Sequence, residues 1–269
     1  MGILNLTPDS FSDGGEYFQN TGKAVARAKQ MIEEGADIID IGGESSRPGS
    51  EHVSVQEELG RVLPVVKAVR KELGNKILLS VDTYKAAVAK ETLNGGADII
   101  NSLGGFIFDK ELADVAAQTG CPVILYHIKG EPKSMQTGEI IYKNVVEEIM
   151  EFFNKQIEYG CRKGMAREQF FIDPGIGFGK TVEQNVEIIK RLNEFEKLKL
   201  PIVIGVSRKS HLGKLLEQEL KLKQTPGTSE RLEAGLAETA AAVLSGAGIV
   251  RTHDVLQTKR FLSVLDVFK

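Results

Sequence analysis

The chain has 269 residues, of which 42% are apolar and 26% are charged, as in a globular protein with a sizeable core. Its formal net charge of −3 provides no strong positive field, which argues against a protein that coats nucleic acid. No apolar stretch approaches the roughly 18 residues that a membrane-spanning helix needs, and we expect no secretory signal. The two cysteines, Cys121 and Cys161, have no second thiol or histidine at ligand spacing. We therefore predict a cytoplasmic protein with neither nucleic-acid nor membrane partners.

An internal repeat shows how the chain is organised. Residues 35–43 (GADIIDIGG) and 96–105 (GADIINSLGG) each follow an amphipathic stretch, and residues 245–251 (SGAGIVR) form a fainter third copy. Each copy is typical of a helix that stops at glycine, a short buried strand and a glycine-rich loop. The repeat therefore indicates consecutive β–α units.

Eight short apolar runs predict strands, each followed by a helical pattern. The strands are expected near residues 2–5, 38–41, 77–81, 99–101, 123–126, 170–172, 202–205 and 249–251. The clearest helices are expected over residues 23–34, 55–73, 85–93, 110–118, 145–159, 182–192, 231–244 and 255–267. This count predicts a single (β/α)8 TIM barrel domain over residues 1–269, with a doubly wound open sheet as the alternative. The longest interruption, residues 218–229, is expected to be a surface excursion between a short helix and a long one.

Polar residues stand at every predicted strand end, and in such a barrel the active site lies at the C-terminal face of the strands. In chain order they are Asn5, residues 44–47, Asp82, Asn101, His127, Asp173, residues 207–209, and Arg251 with His253. A strand end that faces only solvent is polar as well, so one position alone carries little weight. The convergence of carboxylates, amides, a lysine, arginines and histidines on one rim favours a binding site.

Four of these residues suit a flat heterocycle. The carboxylates of Asp82 and Asp173 accept from ring N–H and amino groups, the Asn101 amide both donates and accepts, and Lys209 donates to a ring oxygen or nitrogen. Each also has a purely structural alternative. In these alternatives, Asp82 caps the next helix, and Asp173 starts a Pro-Gly turn. Asn101 satisfies backbone groups, and Lys209 is a solvated residue that opens a helix.

Arg251 and His253 suggest an anion site. Alternate residues of an extended segment face the same side, and the following helix N-terminus favours negative charge. They suit a phosphate or pyrophosphate, although a surface ion pair with a solvated histidine is the alternative. Asn5 offers an oxygen to a Mg²⁺ ion that bridges phosphates. His127 has no second histidine at ligand spacing, so we expect it to be packed or hydrogen-bonded.

The loop of residues 173–181 (DPGIGFGKT) resembles a P-loop, but its glycine spacing does not fit that motif. We interpret it as a glycine-rich strand-to-helix connection that lets a planar ligand approach the barrel mouth. Phe178 would then present an aromatic face.

Six motifs together resemble dihydropteroate synthase. They are residues 1–15 (MGILNLTPDSFSDGG), 35–49 (GADIIDIGGESSRPG), 80–83 (SVDT), 173–180 (DPGIGFGK), 207–209 (SRK) and 251–254 (RTHD). The resemblance covers nearly the whole chain, and the first two motifs together are highly specific. It implies a (β/α)8 transferase of folate biosynthesis that joins 6-hydroxymethyl-7,8-dihydropterin pyrophosphate to 4-aminobenzoate and releases pyrophosphate, with Mg²⁺. It also implies a homodimer and a sulfonamide target.

The resemblance assigns roles by motif. The pterin would be held by Asp82, Asn101, Asp173 and Lys209. The pyrophosphate would be held by Asn5, Arg251 and His253, with Asn5 also binding the metal. The aminobenzoate subsite would be shaped by Ser46, Arg47, Pro48, Phe178 and Ser210. The residues expected to carry catalysis are Lys209, Arg251, His253 and Asp82.

Two positions depart from the family pattern. Ser102 follows Asn101, where the family commonly has Asp, and Tyr126 stands where a Met before the His is common.

Two other functions are the alternatives to this one. A corrinoid-type pterin-binding methyltransferase would not need Arg251 and His253 for a leaving pyrophosphate. A non-catalytic paralogue would be favoured by loss of Asp82, Lys209 or the first loop, and all three are present.

Overall fold

The structure is a computed structural model that describes residues 1–8, 17, 20–45 and 49–268. Its strands are β1 Gly2–Asn5, β2 Ile38–Gly42, β3 Leu78–Asp82, β4 Ile99–Leu103, β5 Val123–Tyr126, β6 Phe170–Asp173, β7 Ile202–Ile204 and β8 Ala247–Val250. The α-helices of the described residues are α1 Thr21–Glu33, α2 Val55–Leu73, α3 Ala86–Asn94, α4 Leu112–Thr119, α5 Val145–Arg162, α6 Val182–Lys190, α7 Ser210–Leu220, α8 Leu232–Leu244 and α9 Val255–Leu265. Strands and helices thus alternate along the chain, except that two helices, α7 and α8, lie between β7 and β8.

The eight strands form one parallel sheet in which the spatial order follows the chain order from β1 to β8. The sheet curls, and the chain segment that follows β8 returns to β1. Gly2 forms a parallel bridge with Thr252, and the Ile3 N–H donates to the Thr252 carbonyl at 3.0 Å. The doubly wound alternative is wrong, because that fold reverses its strand order at a switch point.

Side-chain alternation along the strands separates two cores. In β5, Val123 and Leu125 join the large core between sheet and helices, whereas Ile124 and Tyr126 join a smaller cluster on the inner face of the curled sheet. A strand points alternate side chains to opposite faces. Polar residues two positions from the inner-face residues therefore also point inward, and this places the polar strand ends together.

The helices cover the outer face of the sheet with apolar stripes. On α5, Ile149, Phe153 and Ile157 are buried at intervals of four residues, which places them on one side of the helix. Side-chain caps fix where several helices begin. The Ser54 hydroxyl accepts the Glu57 N–H at the start of α2, as helix N-caps commonly do. No helix of the described residues is both long enough and apolar enough to cross a membrane.

All eight predicted strands are present, with small shifts at their ends. The last strand ends at Val250, so Arg251 follows the strand and does not belong to it. Helix α7 extends to Leu220, and Lys221 then ends it in the left-handed conformation, with φ of 51°. The predicted excursion at 218–229 therefore begins with the last turn of a helix.

Candidate active site

The first row of the site runs across four neighbouring strands. Asn5 pairs in register with Gly42, Gly42 with Asp82, and Asp82 with Asn101. Gly42 leaves this row open, since a Cβ atom there would lie 3.7 Å from the Asn5 Oδ1 atom and 3.6 Å from the Asp82 Cβ atom. The predicted convergence of Asn5, Asp82 and Asn101 is therefore confirmed.

Arg251 connects two carboxylates beneath this row. Its Nε donates to Asp40 Oδ2 at 2.7 Å, and its second Nη donates to Asp82 Oδ2 at 2.8 Å. Asp40 is completely buried, and it also accepts from the Asn101 amide at 3.2 Å. Burial alone would lower the pKa of Arg251, but the carboxylates of Asp40 and Asp82 raise it. The guanidinium therefore stays charged and organises this end of the sheet.

Asp82 does not cap the next helix, so that alternative is wrong. Helix α3 begins at Ala86, whose N–H donates to the Asp109 carboxylate at 2.8 Å. Asp82 instead ends β3 and points to Arg251. Burial raises the pKa of Asp82 to about 7, with Arg251 acting in the opposite direction.

Asp173 both forms a turn and points into the site. Its Oδ1 atom accepts the Gly175 N–H at 2.8 Å, so the predicted Pro-Gly turn is present. Asp173 is only 6% exposed. Burial raises the pKa of its carboxyl group, while the nearby Lys209 lowers it. Asp173 thus has one oxygen committed to the loop.

Lys209 reaches the glycine-rich loop of residues 173–181. It directly precedes α7, and its Nζ donates to the Ile176 carbonyl in the glycine-rich loop. The same nitrogen lies 4.6 Å from the centre of the Phe178 ring, within the range of a cation–π contact. Burial lowers the pKa of Lys209 to about 8, although Asp173 raises it. The alternative of a solvated lysine is therefore wrong.

Phe178 and Tyr126 form an aromatic wall next to Lys209. Their rings meet edge to face, with centroids 4.8 Å apart.

The other departure from the family pattern, Ser102, is buried and donates to the Gly105 carbonyl at 2.6 Å. Ser102 therefore closes its own turn.

His253 lies just before the last helix, α9. Its Nδ1 atom is 3.1 Å from the Ser207 hydroxyl, which also accepts the His253 N–H at 3.2 Å. The ion pair at this place is formed by Arg208 and Asp254, whose closest atoms are 2.5 Å apart. The alternative in which Arg251 forms a surface pair is wrong, because Arg251 binds two carboxylates inside the sheet. The pyrophosphate role of Arg251 and His253 stays a prediction.

The predicted aminobenzoate residues are only partly covered by the structure. Ser46, Arg47 and Pro48 lie outside the described residues. Ser210 is exposed and forms the first residue of α7. It directly follows Lys209 in the sequence.

His127 is hydrogen-bonded, as predicted. It is buried, its Nδ1 atom is 3.0 Å from the Lys180 Nζ, and its ring packs edge to face on Phe152. Burial and the nearby Lys180 lower the pKa of His127 well below its usual range. The histidine is therefore a neutral packing residue, and no three His, Cys, Asp or Glu side chains of the described part of the chain form a metal cluster.

Sequence reasoning missed Asp40. It lies in the middle of an apolar strand, where a single polar residue does not by itself indicate a functional site. The internal repeat contained the missing signal, because Asp40 in GADIIDIGG stands at the position of Asn101 in GADIINSLGG. A position that is polar in both copies, and whose side chain faces the inside of the curled sheet, is a candidate site residue.

Comparison with known proteins agrees with this geometry. The family described as pterin binding enzymes matches residues 1–253. The dihydropteroate synthase of Synechocystis is 45% identical over 266 residues, which cover 99% of this chain and 88% of that protein. The crystal structure of the Yersinia pestis dihydropteroate synthase with a sulfonamide drug complex has a TM-score of 0.92 and 40% identity, and the match covers 100% of this chain and 93% of that one. The Xanthomonas albilineans dihydropteroate synthase in complex with 7,8-dihydropteroate has a TM-score of 0.84 and 33% identity, and the match covers 100% of this chain and 92% of that one.

The chain therefore belongs to the family of pterin binding enzymes. The relatives reported above are dihydropteroate synthases. The predicted function is confirmed: the chain is a transferase of folate biosynthesis that joins 6-hydroxymethyl-7,8-dihydropterin pyrophosphate to 4-aminobenzoate.

Proposed function

We propose that this reaction takes place at the C-terminal face of a closed (β/α)8 TIM barrel formed by residues 1–269 as one domain. Two observations support closure. The Gly2–Thr252 bridge joins the two ends of the sheet, and the Met1 amino group donates to the Val250 carbonyl at 3.0 Å. The carboxyl ends of the strands then form one ring, as an active site of this architecture requires.

The observation that carries the proposal is the polar set of Asp82, Asn101, Asp173 and Lys209 on this ring. A 2-amino-4-oxo pterin ring presents adjacent donors and acceptors along its edge. The carboxylates accept from the ring N–H and amino groups, the Asn101 amide both donates and accepts, and the Lys209 ammonium donates to a ring oxygen or nitrogen. These contacts orient the ring and leave its exocyclic CH₂ group toward the mouth.

Arg251 and His253 would receive the leaving pyrophosphate. A guanidinium has five N–H donors, so its bonds to Asp40 and Asp82 leave donors for an anion. His253 lies at the N-terminal end of α9, where helix N–H groups also favour negative charge.

A Mg²⁺ ion would be held here by Asn5. Asn5 offers one amide oxygen beside the space that Gly42 leaves open, so the ion would take its other ligands from pyrophosphate and water. When bound, it would neutralise charge on the leaving group.

The chemical step needs little acid or base catalysis. The C–O bond between the exocyclic CH₂ and the pyrophosphate breaks, and the electron pair leaves with the pyrophosphate. The electron-rich pterin stabilises the positive charge that develops on the CH₂ group. The neutral aniline nitrogen then forms the C–N bond and loses a proton. Catalysis is mainly positioning and stabilisation of the leaving group.

The aminobenzoate subsite would lie beyond the CH₂ group, along the wall of Phe178 and the start of α7. Ser210 would bind the carboxylate there, and Ser46, Arg47 and Pro48 would complete the subsite. The Yersinia pestis relative is described in a sulfonamide drug complex. We propose that sulfonamides compete with 4-aminobenzoate in this chain as well.

We further propose a cytoplasmic homodimer. Cys121 and Cys161 are free thiols, which suits a reducing compartment. The dimer is what the family resemblance implies, and sedimentation at micromolar concentration tests it, with a monomer as the contradicting result.

Release of pyrophosphate tests the proposed function. Purified protein should release pyrophosphate only when pterin pyrophosphate, 4-aminobenzoate and Mg²⁺ are all present. Tight binding of the pterin without turnover would instead identify a non-catalytic paralogue.

A further inference from the structure

A buried lysine that the reaction does not use holds the glycine-rich loop. Lys180 is only 3% exposed. Its Nζ lies 2.8 Å from the Gly175 carbonyl oxygen, 3.0 Å from the Phe178 carbonyl oxygen and 3.0 Å from the His127 Nδ1 atom. All three atoms lie within hydrogen-bonding distance, so Lys180 contacts the loop at two carbonyl groups and the segment after β5 at one histidine ring.

This arrangement is costly, which argues that it serves a purpose. Within the described part of the chain Lys180 forms no ion pair, and a buried charge without a paired carboxylate is unfavourable. Burial and the positive charge of Lys209 lower the pKa of Lys180 well below its usual range. The hydrogen bonds to the loop offset this cost only while the loop keeps its conformation.

Five consecutive carbonyl groups of the loop each accept from a side chain. Lys180 binds the first and fourth of them, and the second, that of Ile176, accepts from Lys209. The third and fifth carbonyls, those of Gly177 and Gly179, accept from Gln136 at 2.9 Å and Tyr142 at 3.1 Å. The Ile176 carbonyl therefore lies between groups that Lys180 fixes.

The loop also lies backbone to backbone against the segment after β5. A Cβ atom on Gly175 would lie 1.8 Å from the His127 carbonyl oxygen, and one on Gly179 would lie 2.2 Å from the Lys129 carbonyl oxygen. Only glycine permits this approach. Lys180 binds both sides of the junction, since it contacts His127 on one segment and the loop carbonyls on the other.

We propose that Lys180 is a positioning residue for the pterinylmethyl transfer: it fixes the backbone of residues 175–178 so that Lys209 and the Phe178 ring are set for the two substrates. This inference rests on the proposed function. Lys180 itself touches neither substrate. It acts through the Ile176 carbonyl, which holds the Lys209 ammonium, and through the Phe178 backbone.

A double-mutant cycle between Lys180 and Lys209 tests this role. Lys180→Met should lower kcat/KM by about 100-fold, because a shift of about 1 Å in a positioned group has an effect of that size. In a Lys209→Ala background the same change should lower kcat/KM by less than threefold, since the group that Lys180 positions is already absent. Lys190→Met, an exposed lysine at the end of α6, is the matched control and should leave activity unchanged.

Lys180→Gln provides a second variant, because its neutral amide keeps a donor for the loop. It should fold and lose about tenfold in kcat/KM, with a larger rise in KM for the pterin substrate than for 4-aminobenzoate, because Lys209 is assigned to the pterin. The positioning role would be overturned if Lys180→Met lowered kcat/KM by the same factor in the unmodified chain and in the Lys209→Ala variant. Failure of both Lys180 variants to fold would overturn it as well. Absence of turnover in the unmodified chain would overturn the proposed function instead, so the two failures are distinguishable.

Discussion

The side-chain amide of Asn101 donates to Asp40 across the inner face of the sheet, with 3.2 Å between nitrogen and oxygen. The two residues occupy equivalent positions in the two copies of the internal repeat. The repeat therefore supplied a carboxylate on β2 and an amide on β4 that point to the same place. Arg251 joins them through the same Asp40 oxygen. A duplicated β–α unit thus accounts for part of the polar interior.

Asp40→Ala should destabilise the protein strongly. The substitution removes one partner of a buried ion pair, which typically lowers the free energy of unfolding by about 3 kcal/mol. Urea denaturation measures this change. Asp37→Ala is the control, since Asp37 lies in the same repeat but is exposed, and its effect should stay below about 0.5 kcal/mol. Similar losses in the two variants would show that the buried pair does not stabilise the sheet.

The activity should depend on pH as a narrow bell. Asp82 must be ionised to accept from the pterin, and burial raises its pKa to about 7, so kcat/KM rises through that value. Lys209 must be protonated to donate, and burial lowers its pKa to about 8, so kcat/KM falls above that value. Steady-state kinetics between about pH 5.5 and 9.5 measure both limbs.

Lys209→Arg separates the two groups in that profile. A guanidinium stays charged throughout this range, so the alkaline limb should disappear while the acid limb remains. An alkaline limb that persists unchanged in the variant would assign it to a different residue.

Lys209→Ala should reduce turnover and leave stability nearly unchanged. Loss of a positioned donor to a reacting group lowers kcat by about 100- to 1,000-fold, whereas the folded chain loses one hydrogen bond to the Ile176 carbonyl. Turnover and the thermal midpoint are measured on the same sample. Lys214→Ala, on the exposed side of α7, is the control for both quantities. A loss of stability as severe as the loss of turnover would indicate a structural role for Lys209.

Two glycines with the same backbone angle test the close approach of the glycine-rich loop. Gly175 and Gly120 both have φ of 71°. An added Cβ would lie 1.8 Å from the His127 carbonyl oxygen at Gly175 and would meet nothing within 4 Å at Gly120. Gly120→Ala should therefore cost only the left-handed strain of about 1 kcal/mol. Gly175→Ala should lower the thermal midpoint several times as much as Gly120→Ala does. Equal shifts of the midpoint in the two variants would contradict the close packing of the loop.

Much of the fold was predictable because it depends on local patterns. Apolar runs, glycine stops and helical periodicity located the strands to within a few residues, and the polar strand ends then identified the rim. The partners of Arg251 were not predictable, since Asp40 is 211 positions away in the sequence and the two meet only when the sheet curls. Lys180 was missed for the same reason, because its contact with His127 joins two loops that are separate in the sequence.

A crystal structure of the chain with its pterin substrate tests the central claim most directly. We expect the pterin ring to lie within about 3 Å of polar atoms of Asp82, Asn101, Asp173 and Lys209, with the pyrophosphate directed toward Arg251 and His253. A pterin bound away from these four side chains would contradict it.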